Sequence, residues 1–127
     1  MNFGVLSVAL VSSVTGQAAA LPPPSGAKEI IARVNRAAKQ QDYVALRADM
    51  AQEFTWSFGG DSRAEQAIAE WQKEPRYMLE LARITRAKCT YRKDQYVECP
   101  ASAGTSFRAG FKLTAGRWKM VYFVEGD

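Results

Sequence analysis

The chain contains no histidine, and that absence decides more about its chemistry than any residue present. It removes the commonest general base, the commonest metal ligand and every imidazole-based triad. Proton transfer would then fall to a carboxylate enclosed beside a tyrosine, with its pKa raised by burial. Asp49, Glu53, Asp61 and Glu70 are the carboxylates on which such a reading depends. Asp61 follows Gly59-Gly60 in a turn ahead of a helix, where it can act as a base at a pocket mouth or simply serve the turn and helix start. Asp49 and Glu53 read as surface charges. No cofactor or metal motif is present.

Cys89 and Cys99 are the two cysteines. In an exported chain this spacing is most simply a disulfide. Two thiolates without histidine make a poor zinc site, and the pair is not C-x-x-C. Cys89–Arg92 and Tyr96–Cys99 read as hairpin arms. A three-residue loop over Lys93-Asp94-Gln95 sets Cys89 opposite Cys99, whereas a two-residue loop sets it opposite Glu98.

The bulk numbers fit one globular domain: 127 residues, 47% hydrophobic, 24% charged, net charge +4. Such a charge is a weak steering field, and no arginine-rich run or RNA-binding motif accompanies it, so nucleic acid is not an expected partner. Arg83, Arg86, Lys88, Arg92 and Lys93 form a local basic cluster, read as a solvated hairpin.

Residues 1–20 read as a secretory signal. Val5–Val14 is an apolar run too short to span a bilayer, and Ala18 and Ala20 fit an A-x-A site with cleavage after Ala20. The leader lacks Lys and Arg. No lipid-anchored form is suggested, and no stable membrane anchor is expected. Residues 21–26 read as a proline-rich spacer, and 27–127 as one domain. The expected location is periplasmic or secreted.

The elements that must position these residues follow from periodicity. Ala27–Gln41 is helical, with Ile30, Val34, Ala37 and Ala38 on one face. Gln40-Gln41 is a corner, and Asp42 N-caps a helix over Tyr43–Met50. Glu53–Phe58 alternates as a strand. Ser62 and Glu65 form a capping box before a helix carrying Ala64, Ala67, Ile68 and Trp71. Pro75 starts a helix from Arg76 to Ala82, and the chain reads as sheet from Ile84 onward. Phe107, Ala109, Phe111 and Leu113 share one strand face. Ala115-Gly116 is a turn. In the last strand Trp118, Met120, Tyr122 and Val124 alternate with Lys119, Val121 and Phe123.

This α+β order, with Gln41–Leu46, Glu53–Asp61, Ala67–Trp71, Phe107–Phe111, Gly116–Met120 and Phe123–Asp127, resembles the nuclear transport factor 2-like superfamily. That superfamily includes ketosteroid isomerase, scytalone dehydratase and polyketide cyclase relatives. The resemblance implies N-terminal helices on the concave face of a curved antiparallel sheet, forming a cone with an internal cavity. It implies no activity, because no catalytic constellation of the enzymatic members can be placed on this chain. It would set Trp56, Trp71, Tyr77, Phe111 and Tyr122 near the cavity, or else in a filled core. Arg108 can anchor an anionic ligand or lie on a solvated face.

Three readings follow. The first is non-catalytic binding of a small apolar or amphipathic molecule in the cone. The second is a protein-interaction or inhibitor/immunity-type module of the cell envelope, with a homodimer through the outer sheet face as the family suggests. The third is a histidine-free isomerase or dehydratase.

Overall fold

A computed structural model describes residues 23–57, 62–101 and 106–126. The leader, Phe58–Asp61 and residues 102–105 lie outside the described residues. The expectations for the signal, its cleavage after Ala20 and Asp61 therefore fall outside it.

The order is α1 (Ser25–Gln40), α2 (Tyr43–Ala48), β1 (Met50–Thr55), α3 (Ala64–Lys73), α4 (Arg76–Arg86), β2 (Thr90–Arg92), β3 (Tyr96–Cys99), β4 (Phe107–Thr114) and β5 (Arg117–Glu125). The strands form one curved sheet in the order β1-β5-β4-β3-β2, with the helices packed against it. The pairing is mixed: β1 runs parallel to β5, and the other pairs are antiparallel. A wholly antiparallel sheet was the expectation. β1 and β5 are far apart in sequence and need no hairpin to join them, so nothing forces the antiparallel sense.

α1 starts at Ser25, inside the expected spacer, and buries Ile30, Val34, Ala37 and Ala38 as its period requires. Gln41 closes it in the left-handed region (φ 54°), with its N–H donating to the end of α1. Asp42 then caps α2, accepting from the Ala45 N–H at 3.1 Å.

Further features differ from the sequence reading, among them the end of the first strand, which stops at Thr55 short of Trp56 and Ser57. β1 begins at Met50, because pairing with Met120 of β5 draws in residues that read as helical. The Ser62–Glu65 capping box does not form. Arg63 occupies the N-cap in an extended, β-bridged conformation, and Glu65 instead takes the Arg47 guanidinium at 2.9 Å. A charge-assisted bond outcompetes a cap. α4 runs on to Arg86, since Ile84 and Thr85 continue the buried stripe begun by Met78 and Leu81. Lastly, β5 carries a bulge at Val121. Phe111 pairs with Met120 but Gly110 pairs with Tyr122. The bulge flips the later residues, so Phe123 faces the helices and Tyr122 the opposite side.

The hairpin uses the three-residue loop: Arg92 pairs with Tyr96 and Thr90 with Glu98, and the disulfide joins Cys89 to Cys99.

Candidate functional site

The helix-facing side of the sheet is filled with rings. Trp71 of α3, Phe54 of β1, Phe111 of β4 and Phe123 of β5 are fully buried. Trp71 meets Phe54 edge-on at 5.6 Å and Phe123 at 5.4 Å between centroids. Tyr77, half-buried, stands edge-on to Phe107 at 6.0 Å, and the Arg76 guanidinium lies over the Tyr77 ring at 4.6 Å and the Phe107 ring at 5.8 Å. Such edge-to-face contacts are favourable beyond their buried area, and here they interlock as a core.

This interior is apolar. Thr85 and Thr90 are the buried polar side chains among the described residues. Asp49 sits half-buried at the surface in a two-bond pair with Arg33, both contacts 3.1 Å. Glu53 is exposed, and Glu70 is half-buried on α3. None of these three carboxylates is enclosed as acid–base chemistry would require. Among the described residues no group of three metal-ligating side chains gathers, and no helix is long and apolar enough to cross a membrane.

Trp56 behaves differently from the other rings. It follows β1 and packs half-buried against the core. Its Nε1–H is removed from solvent and has no hydrogen-bond acceptor among the described residues. An unsatisfied buried donor is uncommon and costs stability unless a water or ligand serves it.

On the opposite face of the sheet lies a polar cluster that the sequence reading missed. Glu98 accepts from the Tyr122 hydroxyl, from Tyr96 at 3.4 Å, and from Arg92 at 3.2 Å, while the two tyrosine hydroxyls also touch. The Tyr122 ring lies over Gly110, where a Cβ would come within 2.6 Å of its Cζ. Burial first, then the bond to Glu98, push the Tyr122 phenol well above its ordinary pKa. Burial likewise raises Tyr96. Phenols held protonated in this way donate to a fixed carboxylate and do not act as bases. The alternation seen from the sequence put Tyr122 beside Met120. Only the bulge, which has no signature in the sequence, moves it across. Arg108, half-buried on β4, shares this face, paired opposite Val124.

Three surface grooves are lined by described residues. They lie between α1 and the end of α4 (about 690 Å³), between α2 and α3 (about 380 Å³) and between α1 and α2 (about 270 Å³). Trp56, Trp71, Tyr77, Arg108, Phe111 and Tyr122 line none of them.

Helices against one face of a mixed five-stranded sheet match a known solved structure. The chain is similar to a protein of unknown function from Pseudomonas putida, titled NTF2-like, with 12% identity and a TM-score of 0.50 over 80% of this chain and 84% of that one. The chain has the nuclear transport factor 2-like fold. Other similar structures are an NTF2-like protein with a cystatin-like fold from Novosphingobium aromaticivorans and an epoxide hydrolase from M. tuberculosis. The former has 18% identity and TM-score 0.45, covering 78% and 77% of the two chains. The latter has 11% identity and TM-score 0.48, covering 84% and 82%. No family model matches the chain, and no curated protein matches it. At these identities the nuclear transport factor 2-like likeness concerns fold alone.

Proposed function

We propose that this is a non-catalytic, exported binding domain for a small amphipathic molecule held against the sheet at the Trp56 end of the cone. The observation that carries the reading is the Trp56 Nε1–H, a buried donor without an acceptor among the described residues, beside an otherwise apolar interior. A ligand with one oxygen and an apolar body answers both features. Catalysis has no support in Asp49, Glu53 or Glu70, which stand at the surface. Export is supported by the leader pattern and by the disulfide, which persists in oxidising compartments.

The test is native mass spectrometry of protein purified from a bacterial periplasm. A bound small molecule should accompany the wild type. Trp56→Phe keeps the ring but removes the N–H, and should lower occupancy by about tenfold, the worth of one hydrogen bond. Wild-type protein that is consistently empty refutes the proposal.

A second reading, a protein-interaction module, is favoured by Val44. This side chain is 83% exposed and lines the mostly apolar groove between α2 and α3. A homodimer through the outer sheet face belongs to the same reading. Sedimentation at rising concentration distinguishes it: a monomer throughout leaves the homodimer without support.

A further inference from the structure

The groove between α1 and the end of α4 combines an apolar floor with an uncompensated cationic rim. Ile31 and Cys89 are buried in its floor, with Ala32 and Ala87 beside them. Asn35 is held in place there, donating to the Ala82 carbonyl at 2.8 Å and to Thr85 Oγ1 at 3.1 Å. Thr85 in turn donates to the Leu81 carbonyl at 2.7 Å. The walls are thus fixed by hydrogen bonds and by the adjacent disulfide.

Lys28, Arg36, Lys39 and Arg86 line the same groove, and its lining contains no acidic residue. Elsewhere Arg33, Arg47, Arg76, Arg83 and Arg92 each have a carboxylate partner, while other cations unpaired among the described residues, such as Lys73, Lys112 and Arg117, are scattered singly and share no groove with one another. None of the four groove cations has one among the described residues. Arg36 and Lys39 lie one helical turn apart, a spacing at which like charges repel. Lys28 stands in the first turn of α1, where the helix dipole disfavours a cation and no acidic residue offsets it. The dipole favours Lys39 and Arg86, each in the last turn of its helix, but it does not account for Lys28 or for setting Arg36 beside Lys39. An anion seated between Arg36 and Lys39 would relieve their repulsion. From Lys28 to Lys39 the rim runs about 16 Å along α1, the scale of an extended single chain.

We propose that this groove binds a soluble, single-chain anionic amphiphile, with its carboxylate or phosphate head on Arg36 and Lys39 and its chain along Ile31, Ala32 and Ala87. The site is separate from the Trp56 end of the cone.

Decanoate, titrated below its micelle-forming concentration and followed by amide chemical shifts, is the probe. Saturable shifts at Ile31, Ala32, Asn35 and Ala87 are expected. The double variant Arg36→Gln/Lys39→Gln, with unchanged circular dichroism, should bind at least tenfold more weakly. Arg83→Gln, whose partner is Glu80, should bind as the wild type does. Octanol and inorganic phosphate, each supplying half of the chemistry, should both bind more weakly than decanoate. Absence of saturation, equal binding by the double variant, or binding only to phosphatidylglycerol vesicles would each overturn the proposal. Shifts confined to Trp56 and its neighbours would also overturn it while favouring the cone reading.

Discussion

Replacing Gly110 with alanine should change sign in its effect on stability according to what stands at position 122. Gly110 is buried in β4 and is not in the left-handed region, so alanine suits its backbone. By itself the substitution should stabilise by about 0.4–1 kcal/mol through loss of unfolded-state entropy. The added Cβ, however, would lie within 2.6 Å of Tyr122 Cζ and 2.8 Å of Cδ2. The ring cannot tilt away freely, because its hydroxyl is held by Glu98 and Tyr96. Overpacking costs about 1–3 kcal/mol, and loss of a bond to a charged group about 1.5–3 kcal/mol. Their sum, less the entropic gain, leaves Gly110→Ala destabilised by about 1.5–5.5 kcal/mol. In a Tyr122→Ser background both costs vanish, and the same change should stabilise. Guanidinium denaturation of the four proteins gives the cycle. If alanine destabilises equally in both backgrounds, the ring is not what excludes it.

Alkaline stability should report the same cluster. Tyr122 and Tyr96 have folded pKa values above the unfolded value near 10. Above about pH 10 the unfolded chain releases protons that the folded chain retains. Their stabilisation is thus complete below that pH and lost progressively above it, with solvent screening of the two part-exposed phenols keeping the fall below the one-proton limit of about 1.4 kcal/mol per pH unit. Tyr122→Phe should flatten this fall, and an unchanged slope in denaturation titrations would contradict the assignment. Cys89→Ser/Cys99→Ser should cost about 2.5–3 kcal/mol by loop entropy, read as a lower denaturation midpoint than wild type in non-reducing buffer, a gap that closes once reductant opens the wild-type disulfide. Asp42→Ala should cost about 1 kcal/mol by removing the α2 cap, visible as a lower melting temperature.

Much of the fold was legible because local rules and tertiary packing agree. The α1 stripe, the Asp42 cap, the Cys89–Cys99 register and the Ala115-Gly116 turn each depend on residues close in sequence. Ala115 and Gly116 both have positive φ, as a tight hairpin turn requires. The misses came where distant partners decide. Thr85 and Ile84 are β-branched and read as strand, yet contacts of α4 with α1 and the sheet keep them helical. Glu65 was placed by its spacing from Ser62, but a guanidinium from α2 claims it. The Val121 bulge carried Tyr122 from the expected cavity side to the other face. Of the residues proposed around a pocket, Trp71 and Phe111 form the core itself. The orphaned indole of Trp56 and the unpaired cations along α1 depend on what other segments fail to supply, which no local pattern records.

The two ends of the domain depend on each other. Gly26 in the opening turn of α1 sits against the Trp118 indole, where any larger residue would meet Cδ1 at 2.9 Å, and β1 takes its neighbouring strand in the sheet from β5. α1 finds most of its seat on α4, but the ladder of β1 waits for a partner seventy residues further on, since Met50 pairs with Met120, and such non-local pairing is slow to form.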